Sequence, residues 1–265
     1  MAGTLRPVSD ELLRPFLDDP GRAGVFLDFD GTLSEIVHVP SDARPAPGAR
    51  DLLDALARKF AVTAIVSGRS AHELLEWLGA EVEIWGVHGA QRTVDGAVEL
   101  SPAAAPFEEL MRTVHDEATA RVAEMGLEGV IVEDKAVMVT LHFRNAADLE
   151  RARQTLAELA EDLATRHDLS LASGRLAYEL RPPVDFTKAA VVRQRSQGLA
   201  AVAFAGDDYV DLPGFDALDE LATQGVATLR IAIDSDEAPP ELLERADVVV
   251  MGPRGAVEFL GRLLG

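Results

Sequence analysis

Three stretches of the chain are apolar but for one threonine and then stop abruptly at polar residues. Val25-Phe26-Leu27 runs into Asp28-Phe29-Asp30-Gly31-Thr32, Ala61 to Val66 into Ser67-Gly68-Arg69, and Ala200 to Ala205 into Gly206-Asp207-Asp208. Short, uniformly apolar runs predict strands buried on both faces, the kind found in the middle of a parallel sheet. Glu81 to Trp85, Val226 to Ile233 and Ala246 to Val250 predict three more. In Gly48 to Phe60, Leu52, Leu53, Leu56 and Ala57 fall at helical spacing, and further helices are predicted around Asp10 to Leu17, over Thr187 to Gln197 and over Ala256 to Leu264. Ser34 to Pro47 carries prolines without periodicity and reads as a loop over the end of the first strand. The alternation predicts an α/β fold, a doubly wound Rossmann-like parallel-sheet core. Connections of fixed hand then bring Asp28, Ser67 and Asp207 to one sheet edge, where ligands of such sheets bind.

From Pro106 the pattern changes. A helix over Phe107 to Met125, strands over Gly129 to Asp134 and Ala136 to Phe143, a helix over Ala146 to His167, and strands over Leu169 to Ala172 and Arg175 to Leu180 describe a separate open α/β sandwich. Its strands alternate: Val137, Val139, Leu141 and Phe143 point one way, Met138, Thr140, His142 and Arg144 the other. Such a sheet suits helices on one side and a ligand on the other. Pro182-Pro183 mark the return. The expected division is a core of residues 1–97 and 182–265 with a smaller α/β cap domain, 98–181, inserted into it.

Composition narrows the function. A chain of 265 residues fits one large domain or two modest ones. A formal charge of -20 argues against nucleic acid as a partner, because phosphate backbones are held by clustered Lys and Arg. With no cysteine there is no disulfide, thiolate metal site or thiol nucleophile. Neither a signal peptide nor an apolar run long enough for a membrane span is visible, so a cytoplasmic protein with no membrane partner, acting as a monomer on a small molecule, is expected.

The chemistry gathers at the strand ends. Asp28 and Asp30 are two apart and project together on a continuing strand, an arrangement that needs a cation or a shared proton. Ser67 can donate to a phosphate oxygen or cap the helix beginning near Ala71. Lys188 is an ordinary helix residue or a counter-charge, Asp207-Asp208 a helix start or a second acid pair, and His88, in the turn Gly86-Val87-His88-Gly89, a structural residue or one facing the site. Taken in order, Asp28-x-Asp30, Ser67, Lys188 and Asp207-Asp208 suit a phosphate monoester and Mg²⁺, which favours carboxylate oxygens.

Asp28-x-Asp30-Gly31-Thr32 resembles the signature of haloacid-dehalogenase-like phosphohydrolases, in which the first Asp is the nucleophile and the second the general acid/base. Together with Ser67-Gly68-Arg69, Gly86-Val87-His88-Gly89, Glu133-Asp134-Lys135, His142-Phe143-Arg144 and Tyr178-Glu179-Leu180-Arg181-Pro182, it looks like the trehalose-6-phosphate phosphatase family. The resemblance implies Mg²⁺-dependent release of trehalose and phosphate from the sugar phosphate through an aspartyl-phosphate. Asp28, Asp30, Ser67 and Lys188 would be catalytic. Asp28 and Asp207 would hold the metal, with the backbone carbonyl of Asp30 and with Asp208 in the same acidic cluster. Thr32 in the turn and His88 would face the substrate; Glu133, Lys135, Arg144 and Glu179 of the cap would bind sugar hydroxyls, with Arg69 nearby. The family commonly has Asp-Lys-Gly where this chain has Thr187-Lys188-Ala189, and a distal Asp-Glu where it has Asp211-Leu212. A phosphatase of the same fold acting on sucrose 6-phosphate or mannosyl-3-phosphoglycerate, a phosphomutase, and a silent sugar-phosphate sensor are the alternatives.

Overall fold

The computed structural model describes residues 9–37, 39–79, 81–174, 176–184, 186–235 and 238–265. The chain divides into two compact units, Met1–Glu99 with Phe186–Gly265, and Leu100–Asp185. In order come α1 (Asp10–Asp18), β1 (Ala23–Leu27), α2 (Ala49–Lys59), β2 (Val62–Val66), α3 (Ala71–Leu78), β3 (Glu83–Gly86), β4 (Gln91–Val94) and β5 (Ala97–Leu100). The second unit contributes α4 (Glu108–Met125), β6 (Ile131–Asp134), β7 (Val139–His142), α5 (Leu149–His167), β8 (Ser170–Ser173) and β9 (Ala177–Arg181). The chain then returns through α6 (Lys188–Arg195), β10 (Ala201–Gly206), α7 (Leu212–Thr223), β11 (Ala227–Asp234), α8 (Pro240–Arg245), β12 (Val248–Met251) and α9 (Gly252–Gly261).

Among the described residues the first unit has an eight-stranded sheet in the order β12-β11-β10-β1-β2-β3-β4-β5. It is parallel from β12 to β3, and β4 turns antiparallel. β1, β2 and β10 are buried at every position, which is why their sequences are apolar rather than alternating. Alternate residues feed two cores. Val25 and Leu27 join Phe16, Phe29, Leu53 and Leu74 on one face, while Phe26 joins Phe204, Phe215 and Val192 on the other. The Phe204 and Phe215 rings meet edge to face at 6.2 Å, and truncating either large side chain in so dense a core costs about 3–5 kcal/mol.

From β1 the chain moves outward through β2 and β3; after the second unit it restarts at β10, on the other flank of β1, and moves outward through β11 and β12. The order therefore reverses between β1 and β10. A cleft forms beyond the carboxyl ends of strands at such a reversal, and the loops there diverge to admit a ligand.

The second unit has a four-stranded antiparallel sheet, β6-β7-β9-β8, with α4 and α5 packed on it. Met111, Val114, Ala118 and Val122 of α4 repeat at helical spacing and are buried, as are Leu156, Leu159 and Leu163 of α5. Asp148 caps α5, accepting from Arg151 N at 3.0 Å.

Several expectations shift. The division between the units falls within β5, after Glu99, and again before Phe186, and the β4-β5 hairpin extends the first unit's sheet. Its turn is Asp95-Gly96, with φ of 50° and 76°, the backbone a tight type I′ hairpin needs. β7 starts at Val139 rather than Ala136, because Ala136 takes a φ of 67° with its N donating to Asp134 Oδ1. Met138 and Thr140, read as part of a polar face, are buried. Arg175, the expected start of the last cap strand, lies outside the described residues. Among the described residues no helix is long and apolar enough to cross a membrane.

Candidate active site

The register of β1 on β10 pairs Leu27 with Ala205, and Asp28 N continues the ladder by donating to Ala205 O at 2.9 Å. Asp28 thus leaves β1 beside the point where Gly206 and Asp207 leave β10. Asp28, Asp207, Asp211 and Lys188 are all buried. Lys188, the first residue of α6, places Nζ 2.6 Å from Asp28 Oδ1 and 2.6 Å from Asp211 Oδ1. Thr187 caps that helix, its hydroxyl accepting from Ala190 N at 3.2 Å.

Asp211 is tied down more completely than any other member. Its Oδ1 takes Lys188, and its Oδ2 accepts the backbone N–H of Asp207 at 2.9 Å and of Asp208 at 3.1 Å. Asp208 faces the other way and caps the turn, its Oδ1 accepting from Tyr209 N at 2.5 Å. Asp211 is not among the site residues expected from the sequence. The signal for it was the Asp208-x-x-Asp211 spacing of a capping box, which folds the second acid back onto the first turn.

Three carboxylates against one ammonium leave a formal excess of two negative charges in a buried space. Burial pushes the Asp28 carboxyl up to about 7 against the pull of Lys188, with Asp211 adding to the rise. Burial and then the charges of Asp28 and Asp211 push Asp207 up to about 8. For Lys188 burial opposes the charge, but Asp211 and Asp28 outweigh it and hold the ammonium above its ordinary range. Asp28, Asp207 and Asp211 each offer a carboxylate oxygen within 4.8 Å of the others, a group that could hold a metal ion. The donors are all oxygen and the excess charge matches a divalent cation, so a hard divalent metal fits. Because donors already occupy both Asp211 oxygens, Asp28 and Asp207 are the members with oxygens to offer.

The turn after β1 closes the site. Gly31 has φ +74°, and a Cβ there would lie 1.9 Å from Asp207 Oδ2. Only glycine lets the two strand ends approach this closely. Thr32 is buried with its hydroxyl 3.5 Å from Asp207 Oδ1. Asp30 is held apart from the cluster by Arg69, whose Nε and Nη2 reach its two oxygens at 2.7 and 2.8 Å.

Ser67, beyond the end of β2, is buried; its Oγ accepts from Arg69 N at 3.2 Å, which leaves its O–H as a donor group. The Ser67-Gly68-Arg69 turn is fastened to the next one, since His88 N donates to Ser67 O at 2.9 Å and Val87 N to Arg69 O at 2.8 Å. Val87 and His88 both sit in the left-handed region, φ 51° and 57°. For a β-branched residue that is strained, by about 1–3 kcal/mol, and these hydrogen bonds offset it. The turn sets the His88 ring against Gly68, where a Cβ would meet His88 Cε1 at 2.9 Å. His88 is therefore on the same edge as Ser67.

In the second unit, Glu133, Thr140 and Glu179 lie in one cross-strand row. Glu133 Oε2 is 2.7 Å from His142 Nε2 and 3.5 Å from Lys135 Nζ. The His142 hydrogen bond, ahead of Lys135, holds the Glu133 carboxyl below its usual range despite partial burial. Glu179 pairs with Arg181, and Arg144 stands exposed in the turn after β7.

Residues 26–241 match the model of the trehalose-phosphatase family. A trehalose-phosphate phosphatase of Mycobacterium avium (strain 104) is 36% identical over 255 residues, covering 90% of this chain and 61% of that relative. The chain thus spans about three fifths of the length of the curated relatives it matches. The solved C-terminal domain of the C. albicans trehalose-6-phosphate phosphatase superposes with a TM-score of 0.68 at 25% identity, covering 100% of this chain and 99% of that one. A phosphatase of the haloalkanoate (HAD) enzyme superfamily from Bacteroides thetaiotaomicron, at 16% identity and TM-score 0.56 over 92% of this chain and 95% of its own, shares the fold.

Proposed function

The chain belongs to the trehalose-phosphatase family, and from that premise we propose that it hydrolyses trehalose 6-phosphate to trehalose and inorganic phosphate, with Mg²⁺ as its cation. The observation that carries the reading is the buried Lys188–Asp28 pair, 2.6 Å apart, at the reversal point of the sheet with Asp207 beside it. A carboxylate in that position is a nucleophile whose approach to an anionic ester is eased by a fixed cation.

A carboxylate oxygen of Asp28 attacks phosphorus as the bond from phosphorus to the sugar oxygen breaks, and Asp30 gives that oxygen its proton. Water then attacks the aspartyl-phosphate, passes a proton to Asp30, and frees Asp28 and phosphate. Lys188 neutralises charge between Asp28 and the phosphoryl group, and Ser67 donates its O–H to a phosphoryl oxygen, with Thr32 and His88 on the same side. Mg²⁺, held by Asp28, Asp207 and the carbonyl of Asp30, would add charge neutralisation that the chain does not supply alone. Asp211 and Asp208 shape the turn that presents Asp207. Glu133, Lys135, Arg144 and Glu179 are assigned to the sugar hydroxyls.

A phosphate-release panel tests this. With Mg²⁺ present, trehalose 6-phosphate should be turned over faster than sucrose 6-phosphate or mannosyl-3-phosphoglycerate. Preference for one of the others would move the substrate, and binding without turnover would make the protein a sensor.

A further inference from the structure

Asp30 sits on the turn after β1, two residues beyond Asp28, with 39% of its side chain exposed. Among the described residues its carboxyl group is gripped from another strand end rather than from its own turn. Arg69 grips it from the end of β2: Nε lies 2.7 Å from Oδ2 and Nη2 2.8 Å from Oδ1, the parallel two-point grip that only a guanidinium provides. The grip is itself supported. The guanidinium carbon is 5.0 Å from the centre of the Trp77 ring and 5.9 Å from that of Phe29, the two rings lie 5.6 Å apart, and the arginine side chain is only 11% exposed. Its backbone is pinned at both polar atoms, N to Ser67 Oγ and O to Val87 N. An exposed ion pair spends much of its attraction on ordering two long side chains. Here one partner is already ordered by packing, and the order is passed to the other.

We propose that Arg69 is a positioning residue for Asp30, holding the carboxyl group in the orientation from which a proton passes to the leaving sugar oxygen and is later taken from water. This rests on the reading of Asp30 as the proton carrier. It gives Arg69 a task in the chemical step, separate from holding sugar, and gives Phe29 and Trp77 the task of holding Arg69.

The test separates proton transfer from binding. A sugar leaves phosphorus as an alkoxide that needs a proton, whereas p-nitrophenolate leaves as a stable anion that does not. Arg69→Gln and Arg69→Lys are compared with the unaltered chain in Mg²⁺, by steady-state turnover of trehalose 6-phosphate and by the pre-steady-state burst from p-nitrophenyl phosphate. Arg69→Gln should keep the nitrophenolate burst while kcat on the sugar phosphate falls about ten- to a hundredfold with KM little changed, and Arg69→Lys should recover part of the loss. A rise in KM with kcat kept would make Arg69 a substrate ligand and overturn the proposal, as would equal loss of the burst and of sugar-phosphate turnover. If Arg69→Gln does not fold, Arg69→Lys carries the same comparison. An unaltered chain that releases phosphate from neither ester, with Asp28→Asn indistinguishable from it, would sink the phosphatase reading itself; an active chain with insensitive Arg69 variants would sink only the positioning role.

Discussion

Lys188 Nζ is equidistant from Asp28 Oδ1 and Asp211 Oδ1, at 2.6 Å, so one ammonium is shared by two acids that leave different strands. Its removal takes from both buried carboxylates the ammonium they share. Lys188→Met should cost about 3–5 kcal/mol in urea unfolding at pH 7 without metal, as well as abolishing turnover. A loss under 1 kcal/mol would mean that solvent reaches the cluster.

The raised carboxyls give a pH dependence of definite sign. Asp28 titrates at about 7 and Asp207 at about 8 in the folded chain, against 3.8 for the ordinary group. The folded state therefore holds more protons than the unfolded one between those limits, and stability falls as pH rises. Below pH 4 both states are protonated at these groups and the advantage is complete; above about 8 it is gone. In chelator, these two groups should pull the melting temperature down between pH 5 and 8, and Mg²⁺ should reverse that fall most fully above pH 8, where Asp207 has lost its proton. A metal-free melting curve that rises over this interval would contradict the pairing described.

Asp208 and Asp211 should separate under mutation. Asp208→Ala removes a cap and should cost about 0.5–2 kcal/mol. Asp211→Ala frees two backbone N–H groups and uncouples Lys188, so its loss in stability and in Mg²⁺ affinity should be the larger, read by calorimetric titration of the metal and by melting. The reverse order would make Asp208 the closer partner of the metal.

Gly31→Ala puts a methyl 1.9 Å from Asp207 Oδ2 on a backbone of positive φ. The strand ends must separate. Phosphate release should fall at least about tenfold while the far-UV spectrum stays native, because the displaced turn carries Asp30 with it.

Alanine at Glu133, Lys135, Arg144 or Glu179 should raise KM for trehalose 6-phosphate and narrow its advantage over p-nitrophenyl phosphate, which has no sugar hydroxyls. Unchanged selectivity in all four variants would remove the second unit from substrate choice.

The strand ends were legible because burial on both faces leaves a chain no alternative to uninterrupted apolar residues, and an acid that follows such a run stands out. β4 and β5 were not, since Gln91, Arg92 and Thr93 carry no strong alternation; the Asp95-Gly96 turn was their one clear signal. α7 begins with Leu212-Pro213-Gly214, which reads as a break, although proline belongs in a first turn. The grip of Arg69 on Asp30 was not legible, because it joins positions 39 apart through the neighbouring exits of β1 and β2. Spacing along a chain reports what a single element presents, whereas that contact is a property of two.

Thr32 and Asp207 touch across 175 positions of chain, with the whole of the second unit lying between them in sequence. The entropy of closing so long a loop grows only slowly with length, but contacts of this separation form late and slow the search for the native state. The pairing of β1 with β10 is thus the long-range step on which the site depends. A chain that stalls before it has every acidic side chain and no binding site, so the kinetics of acquiring Mg²⁺ affinity during refolding should follow the closure of this one strand pair.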